Sequence, residues 1–304
     1  MERRLCLTFQ NLYTLPDISD NVQYLYCGKN EIKSITNLPP HLKYFSCVSN
    51  TIIQLPAFPD TLQKLYCDSN ILKKFDSFPP QLELLSCSFN RLRELPPLPS
   101  TLVTINCESN ELEYLPELPS ALKMLRCNIN RLKSLPTFPT NLHLIQCYLN
   151  ELTELPPLPT ELHVLNCCMN ELFILPPLPS KLVSLACSSN QLTYLPELPP
   201  TLQYLDCEKN YIEFFPDIPN PTIILRMDYN PHIYKYTTAG IINRTNQSIR
   251  TCRTIFYANR CKKALIAWMW RARERIAMRL MHPSRIWGMI QAGQDIMEID
   301  ELIH

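Results

Sequence analysis

Apolar and polar positions in this chain repeat with a period of twenty. The stretch LVTINCESNELEYLPELPSA, residues 102–121, shows the unit. It reads xLxxLxCxxNxLxxLPxLPx, and the repeat drifts very little along the chain. An Asn stands at residue 30 and every twentieth position to Asn230, and a Cys precedes it by three places from Cys27 to Cys207. A fixed period of this length is the sequence signature of a stacked-repeat architecture. Within the unit, Tyr24-Leu25-Tyr26-Cys27-Gly28 alternates, which sends Leu25 and Cys27 one way and their neighbours the other. That pattern predicts a short strand, too short to hold alone. Eleven such strands stacked in register make a continuous parallel sheet over one long core.

The second half of each unit, LPxLP, cannot be helical. Two prolines three residues apart each remove an N–H donor, and each pushes its preceding residue towards extended backbone. Extended, polyproline-like chain explains how a coil closes in only twenty residues. The Asn column answers a backbone need: in a tight turn, N–H and C=O groups lack ladder partners, and an amide can both donate and accept from coil to coil. The Cys column reads as packing. Leu7 and Met227 occupy the same column at its two ends. Parallel neighbours one strand spacing apart, about 4.8 Å, exceed the Cβ separation near 3.8 Å that a disulfide wants.

The motif LxxLxCxxNxLxxLPxLP resembles the leucine-rich repeat, LxxLxLxxNxL, with Cys replacing the second strand Leu. Its twenty-residue length and LPxLP half look like the repeats of type III secreted effectors of Gram-negative pathogens; large DNA viruses of amoebae encode similar repeat proteins. The resemblance spans about residues 5–230. It departs at the Cys column, at Thr36 and Asp76 where Pro is usual, and at Gln10, which takes the Asn position of a divergent first coil. The fold it implies is an α/β-type, mainly β, right-handed leucine-rich-repeat solenoid, with a parallel concave sheet, an extended convex side and a helical C-terminal cap. Some effectors of this kind carry a long ubiquitin-ligase domain after the repeats. About 70 residues follow them here, too few for such a domain, so that activity stays a distant alternative.

The expected domains are residues 1–230, the repeats, and residues 231–304, a basic tail. Leu5, Leu7, Leu12 and Leu15 read as a degenerate first coil capping the N-terminal end. In the tail, Cys261, Leu265, Trp268, Ala272, Ile276 and Leu280 follow steps of three and four, an apolar helical stripe. Arg260, Lys263, Arg271 and Arg275 take the opposite face, and Trp270 adds a further aromatic. Charge is uneven: residues 1–243 hold 18 Lys/Arg against 23 Asp/Glu, whereas residues 244–304 hold 11 against 5. The stripe fits a cap over the last coil. A second reading makes the basic face a site for calmodulin-like proteins, nucleic acid or an anionic surface.

Candidate chemistry is sparse. With four glycines the chain has no phosphate-cradling motif, so no cofactor is expected. His143 and His163 sit one repeat apart, without further ligands in a metal-binding pattern. Neither a signal peptide nor a membrane span is apparent, which points to an intracellular, cytoplasmic protein, acting within a host cell if the effector resemblance holds. Export without a cleaved signal stays open. The expected working surface is the concave face, displayed by outward strand positions and by the residue before each Asn. Its central content is Met124, Arg126, Ile129, Leu144, Gln146, Tyr148, Leu149, Val164, Asn166, Cys168 and Met169, with Phe89 nearby. Apolar, aromatic and Arg side chains in such a position mark protein partner sites. The bland alternative has Ile129, Leu149 and Met169 tucked into the turn. The expected function is non-enzymatic protein–protein interaction.

Overall fold

A computed structural model describes residues 3–231, apart from 213–215, 217, 218 and 220–222. Twelve three-residue strands run from β1 (Arg4–Cys6) and β2 (Tyr24–Tyr26) through β3 (Tyr44–Ser46), β4 (Lys64–Tyr66), β5 (Leu84–Ser86), β6 (Thr104–Asn106), β7 (Met124–Arg126), β8 (Leu144–Gln146), β9 (Val164–Asn166), β10 (Ser184–Ala186) and β11 (Tyr204–Asp206) to β12 (Ile224–Arg226). They form one sheet in sequence order, every neighbouring pair parallel and offset by twenty residues. The sheet is thus one strand wider than the eleven Asn-bearing units. The divergent first coil joins it because backbone pairing, Arg4 with Tyr24 and Cys6 with Tyr26, does not need the Asn that Gln10 replaces. Strands end at the third residue rather than the fifth. Backbone bonding nevertheless continues past them: Cys107 N donates to Arg126 O at 2.9 Å and Ser109 N to Asn128 O at 2.9 Å.

The middle strand residue and the Cys point inward. Leu102, Ile105, Cys107 and Leu112 are fully buried, and their equivalents are buried from Val22 to Ile212. Each fully buried Leu or Ile contributes about 1.5–3 kcal/mol. Among the described residues no helix interrupts the LPxLP halves. There the carbonyl of the second Pro closes a turn into the next strand, as when Leu122 N donates to Pro119 O at 3.0 Å.

The buried Asn column bonds to backbone rather than to itself. Asn110 Nδ2 donates to Cys87 O at 2.9 Å and to Cys107 O at 3.1 Å, while its Oδ1 accepts Leu92 N at 3.1 Å. One amide therefore ties two coils together at the bend, beside the backbone bonds that run between them. The bend is made by the preceding residue. Lys29, Ser49, Ser69, Phe89, Ser109, Ile129, Leu149, Met169, Ser189, Lys209 and Tyr229 all have φ between 53° and 63°. After it the bonding reverses: Glu111 N donates back to Leu92 O at 2.8 Å. Left-handed backbone costs a non-glycine residue roughly 1–2 kcal/mol, and here Asn bonds and burial hold it in place.

The Cys ladder is buried and free of disulfides from Cys27 to Cys207. Thiols donate weakly across coils, Cys107 Sγ to Arg126 O at 3.4 Å and Cys127 Sγ to Gln146 O at 3.5 Å. Burial pushes Cys107 up to about 12, and Cys127 and Cys147 also rise well above their ordinary value. A small apolar thiol fills this column as a packing group.

Candidate interaction surface

The first and third residues of each strand alternate with the buried middle one and form the outer face of the sheet. In the centre, register aligns Met124, Leu144 and Val164 in one row and Arg126, Gln146 and Asn166 in the next. All six are half-buried. The apolar row is therefore accessible, and the polar row beside it is partly self-paired: Arg126 Nε donates to Gln146 Oε1 at 3.2 Å.

The third row, Asn128, Tyr148 and Cys168, is more tightly engaged than an exposed column would be. Tyr148 Oη donates to Glu108 Oε1 at 3.2 Å, and Tyr148 N donates to Asn128 Oδ1 at 3.1 Å. Burial, with the Glu108 carboxylate beside it, pushes the Tyr148 phenol well above its ordinary range. Cys168 Sγ accepts from Ser188 Oγ at 3.2 Å, and burial raises its pKa to about 12. These groups fix the surface more than they decorate it.

The residues before the Asn column bring a correction. Ile129 and Leu149 are buried, 4% and 3% exposed, so they do not present side chains to a partner. They occupy the left-handed bend, and the column is fixed by that backbone demand instead of being free for recognition. Phe89 and Met169 share the conformation but remain half-buried and reachable. The tail residues Arg260, Lys263, Trp268, Trp270, Arg271 and Arg275, and the helical cap to which they were assigned, lie outside the described residues.

His143 and His163 do meet. Their rings stack with centroids 5.5 Å apart and planes 4° from parallel. Nδ1 of each lies against a backbone carbonyl, that of Asn141 and of Glu161. Lys181 pairs with the Glu161 carboxylate at 2.6 Å and, with the two imidazoles, holds it below its ordinary range. Among the described residues no group of three or more His, Cys, Asp or Glu is placed to hold a metal.

Two features were missed. At the N-terminal end of the outer face, Tyr24, Tyr26, Tyr44 and Tyr66 form one aromatic cluster, with ring centroids 4.8–6.4 Å apart. Alternation marks Tyr24 and Tyr26 as outward positions, and only the first coil's place in the sheet joins them to Arg4. Beyond the Asn turn, Ile174 and Tyr194 are half exposed in one column, with Phe173 and Tyr211 nearby in sequence on adjacent coils. Their apolar content was visible in the sequence, but the period assigned no role to those columns.

No protein-family model matches the chain, and no curated protein does. Solved structures do. YopM from Yersinia enterocolitica WA-314 is 36% identical with a TM-score of 0.71, over 73% of this chain and 49% of that one. The chain thus spans about half the length of that protein. YopM from Yersinia pestis, a leucine-rich effector protein, is 28% identical with a TM-score of 0.57, over 75% of this chain and 84% of that one. An octameric complex of Latrophilin 3, Unc5D and the leucine-rich-repeat part of FLRT2 matches at 21% identity and a TM-score of 0.58, over 68% and 74%, and shares the fold alone. The chain is a parallel β-solenoid of about eleven turns whose structural neighbours are leucine-rich-repeat proteins, bacterial effectors among them.

Proposed function

We propose that the protein is a non-enzymatic interaction module that binds a protein partner on the outer, concave face of its sheet, as a bacterial or viral factor acting on host proteins. The observation that carries this reading is the central pair of rows. Half-buried Met124, Leu144 and Val164 lie in register beside the polar row Arg126, Gln146 and Asn166. An apolar strip flanked by hydrogen-bonding groups on a rigid sheet is the composition of a protein interface. Likeness to a Yersinia pestis effector protein over most of that chain supports the effector half of the reading.

A photo-crosslinking residue placed at Leu144, and separately at exposed Thr137 on the LPxLP side, tests it in cells. Adducts with a protein partner are expected from position 144 and to disappear when Val164→Asp is added. Adducts from position 137 with none from 144 would move the site to the opposite face.

A further inference from the structure

The N-terminal end of the outer face differs in chemistry from its centre. Its first row, set by strand register, reads Arg4, Tyr24, Tyr44, Lys64. Two exposed cations bracket two tyrosines, and Tyr26 and Tyr66 of the neighbouring row lean on Tyr44 with centroids 4.8 and 5.2 Å away. Arg4 lies over the Tyr26 ring at 5.1 Å and donates one N–H to its Oη at 3.0 Å. That leaves most of the five donors of a guanidinium for another acceptor. Among the described residues no carboxylate ion-pairs with Arg4 or Lys64. The nearby acid, Asp68, stands two places past β4 and accepts from the Ser86 hydroxyl at 2.6 Å and from Ser88 N at 2.8 Å. The row therefore presents positive charge at both ends and neutral phenols between. Burial and the adjoining phenols push Tyr44 up to about 12, so its hydroxyl stays a donor.

The spacing names the ligand. Three strand separations of about 4.8 Å place the two cations roughly 14 Å apart. An extended chain rises about 3.3 Å per residue, and its residues i, i+2 and i+4 share a face. Carboxylates at i and i+4 therefore match Arg4 and Lys64, with the residue at i+2 above the tyrosines. We infer that the row Arg4–Tyr24–Tyr44–Lys64 docks an extended acidic segment of a partner protein, with Asp or Glu at i and i+4 and an apolar side chain at i+2. Charge complementarity selects that occupant. A nucleic-acid strand fits less well, because it carries a phosphate on every nucleotide against two cations in this row, and Tyr26 and Tyr66 already pack on Tyr44. The inference deepens the outer-face reading above and rests on it.

The test uses the full chain and a fluorescein-labelled peptide, Ser-Glu-Ser-Leu-Ser-Glu-Ser, read by fluorescence anisotropy. Controls are the peptide with Gln for both Glu, one with the second Glu moved by one residue, and a labelled ten-nucleotide oligothymidine. The expected result is binding of the Glu peptide about 10-fold tighter than either peptide control, weakening in salt. Arg4→Glu with Lys64→Glu should lose it, and so should Tyr44→Ala, with strand circular dichroism unchanged in both. Thr137→Asp, exposed on the LPxLP side, should bind as the parent does. Equal binding of the Gln peptide, tighter binding of oligothymidine, or unaltered binding by the double charge reversal would each overturn the proposal. If Leu144→Asp alone abolishes binding, the N-terminal placement fails while the outer-face reading stands; crosslinks confined to Thr137 would sink the latter instead.

Discussion

The Tyr148 hydroxyl donates to the Glu108 carboxylate across forty residues of sequence, at 3.2 Å. Repeats are offset by twenty, so this bond skips the intervening coil and links the two coils on either side of it. Asn128, on the coil between, also donates to Glu108, at 3.4 Å. A single carboxylate thus ties three successive coils on the outer face. Tyr148→Phe keeps the ring and removes the bond. A hydrogen bond to a charged group contributes about 1.5–3 kcal/mol, less where water competes, so a loss of about 1–2 kcal/mol is expected in urea unfolding. An unchanged midpoint would show Tyr148 to be a free surface anchor.

Asn150 is fully buried and donates to Cys127 O and Cys147 O, both at 3.1 Å, while accepting Leu132 N at 3.1 Å. Asn150→Ala leaves these backbone groups buried without it. At about 1–3 kcal/mol per orphaned group, a loss of 3 kcal/mol or more is expected. Hydrogen exchange should show the opening centred on coils from Cys127 to Leu152. Uniform destabilisation along the whole stack, or none, would contradict the local role assigned to the amide.

Alkali should unfold the protein through its thiol ladder. Burial raises Cys27 and Cys107 from an ordinary 9.0 to about 12 and holds Cys47 and Cys127 well above their ordinary value. Folded values above unfolded ones mean the stability is fully present below pH about 9 and is lost as pH rises. The unfolded chain releases these protons first, at about 1.4 kcal/mol per pH unit for each thiol. A steep loss of circular dichroism is expected above pH 9, less steep in Cys107→Ala with Cys127→Ala. At neutral pH, iodoacetamide should reach exposed Cys6, whose pKa is lowered by its hydrogen bonds with Thr8, before Cys107, Cys127 or Cys147. Equally fast alkylation of those three would rule out the packing account.

Lys29 is exposed and left-handed, with φ 55°. Glycine tolerates that conformation without a Cβ penalty. Lys29→Gly relieves a left-handed penalty of about 1–2 kcal/mol but adds about 0.5–1 kcal/mol of chain entropy and loses the cation contact over Phe9, so a net gain of up to about 1 kcal/mol is expected. Lys29→Val should lower it, since a β-branched residue is strained there. A thermal melt of both variants distinguishes the outcomes; the reverse order would mean the bend is not under backbone strain.

The sequence alone determined the period, the parallel stacking, the inward Leu and Cys columns, and the helix-free LPxLP halves. Each follows from local chemistry repeated in phase: alternation chooses the strand, paired prolines forbid the helix, and recurrence carries one coil's geometry to the next. Tertiary structure decided what depends on neighbouring coils. Ile129 and Leu149 carry no local mark of a left-handed bend, having neither Gly nor Asn at their positions; the reversal of backbone bonding between coils imposes it. Tyr148 and Glu108 are just polar side chains on separate repeats until two strand spacings bring them together. Arg4 lies in a coil without the repeat's Asn, and only its backbone pairing with Tyr24 extends the outer face far enough to place two cations around two tyrosines.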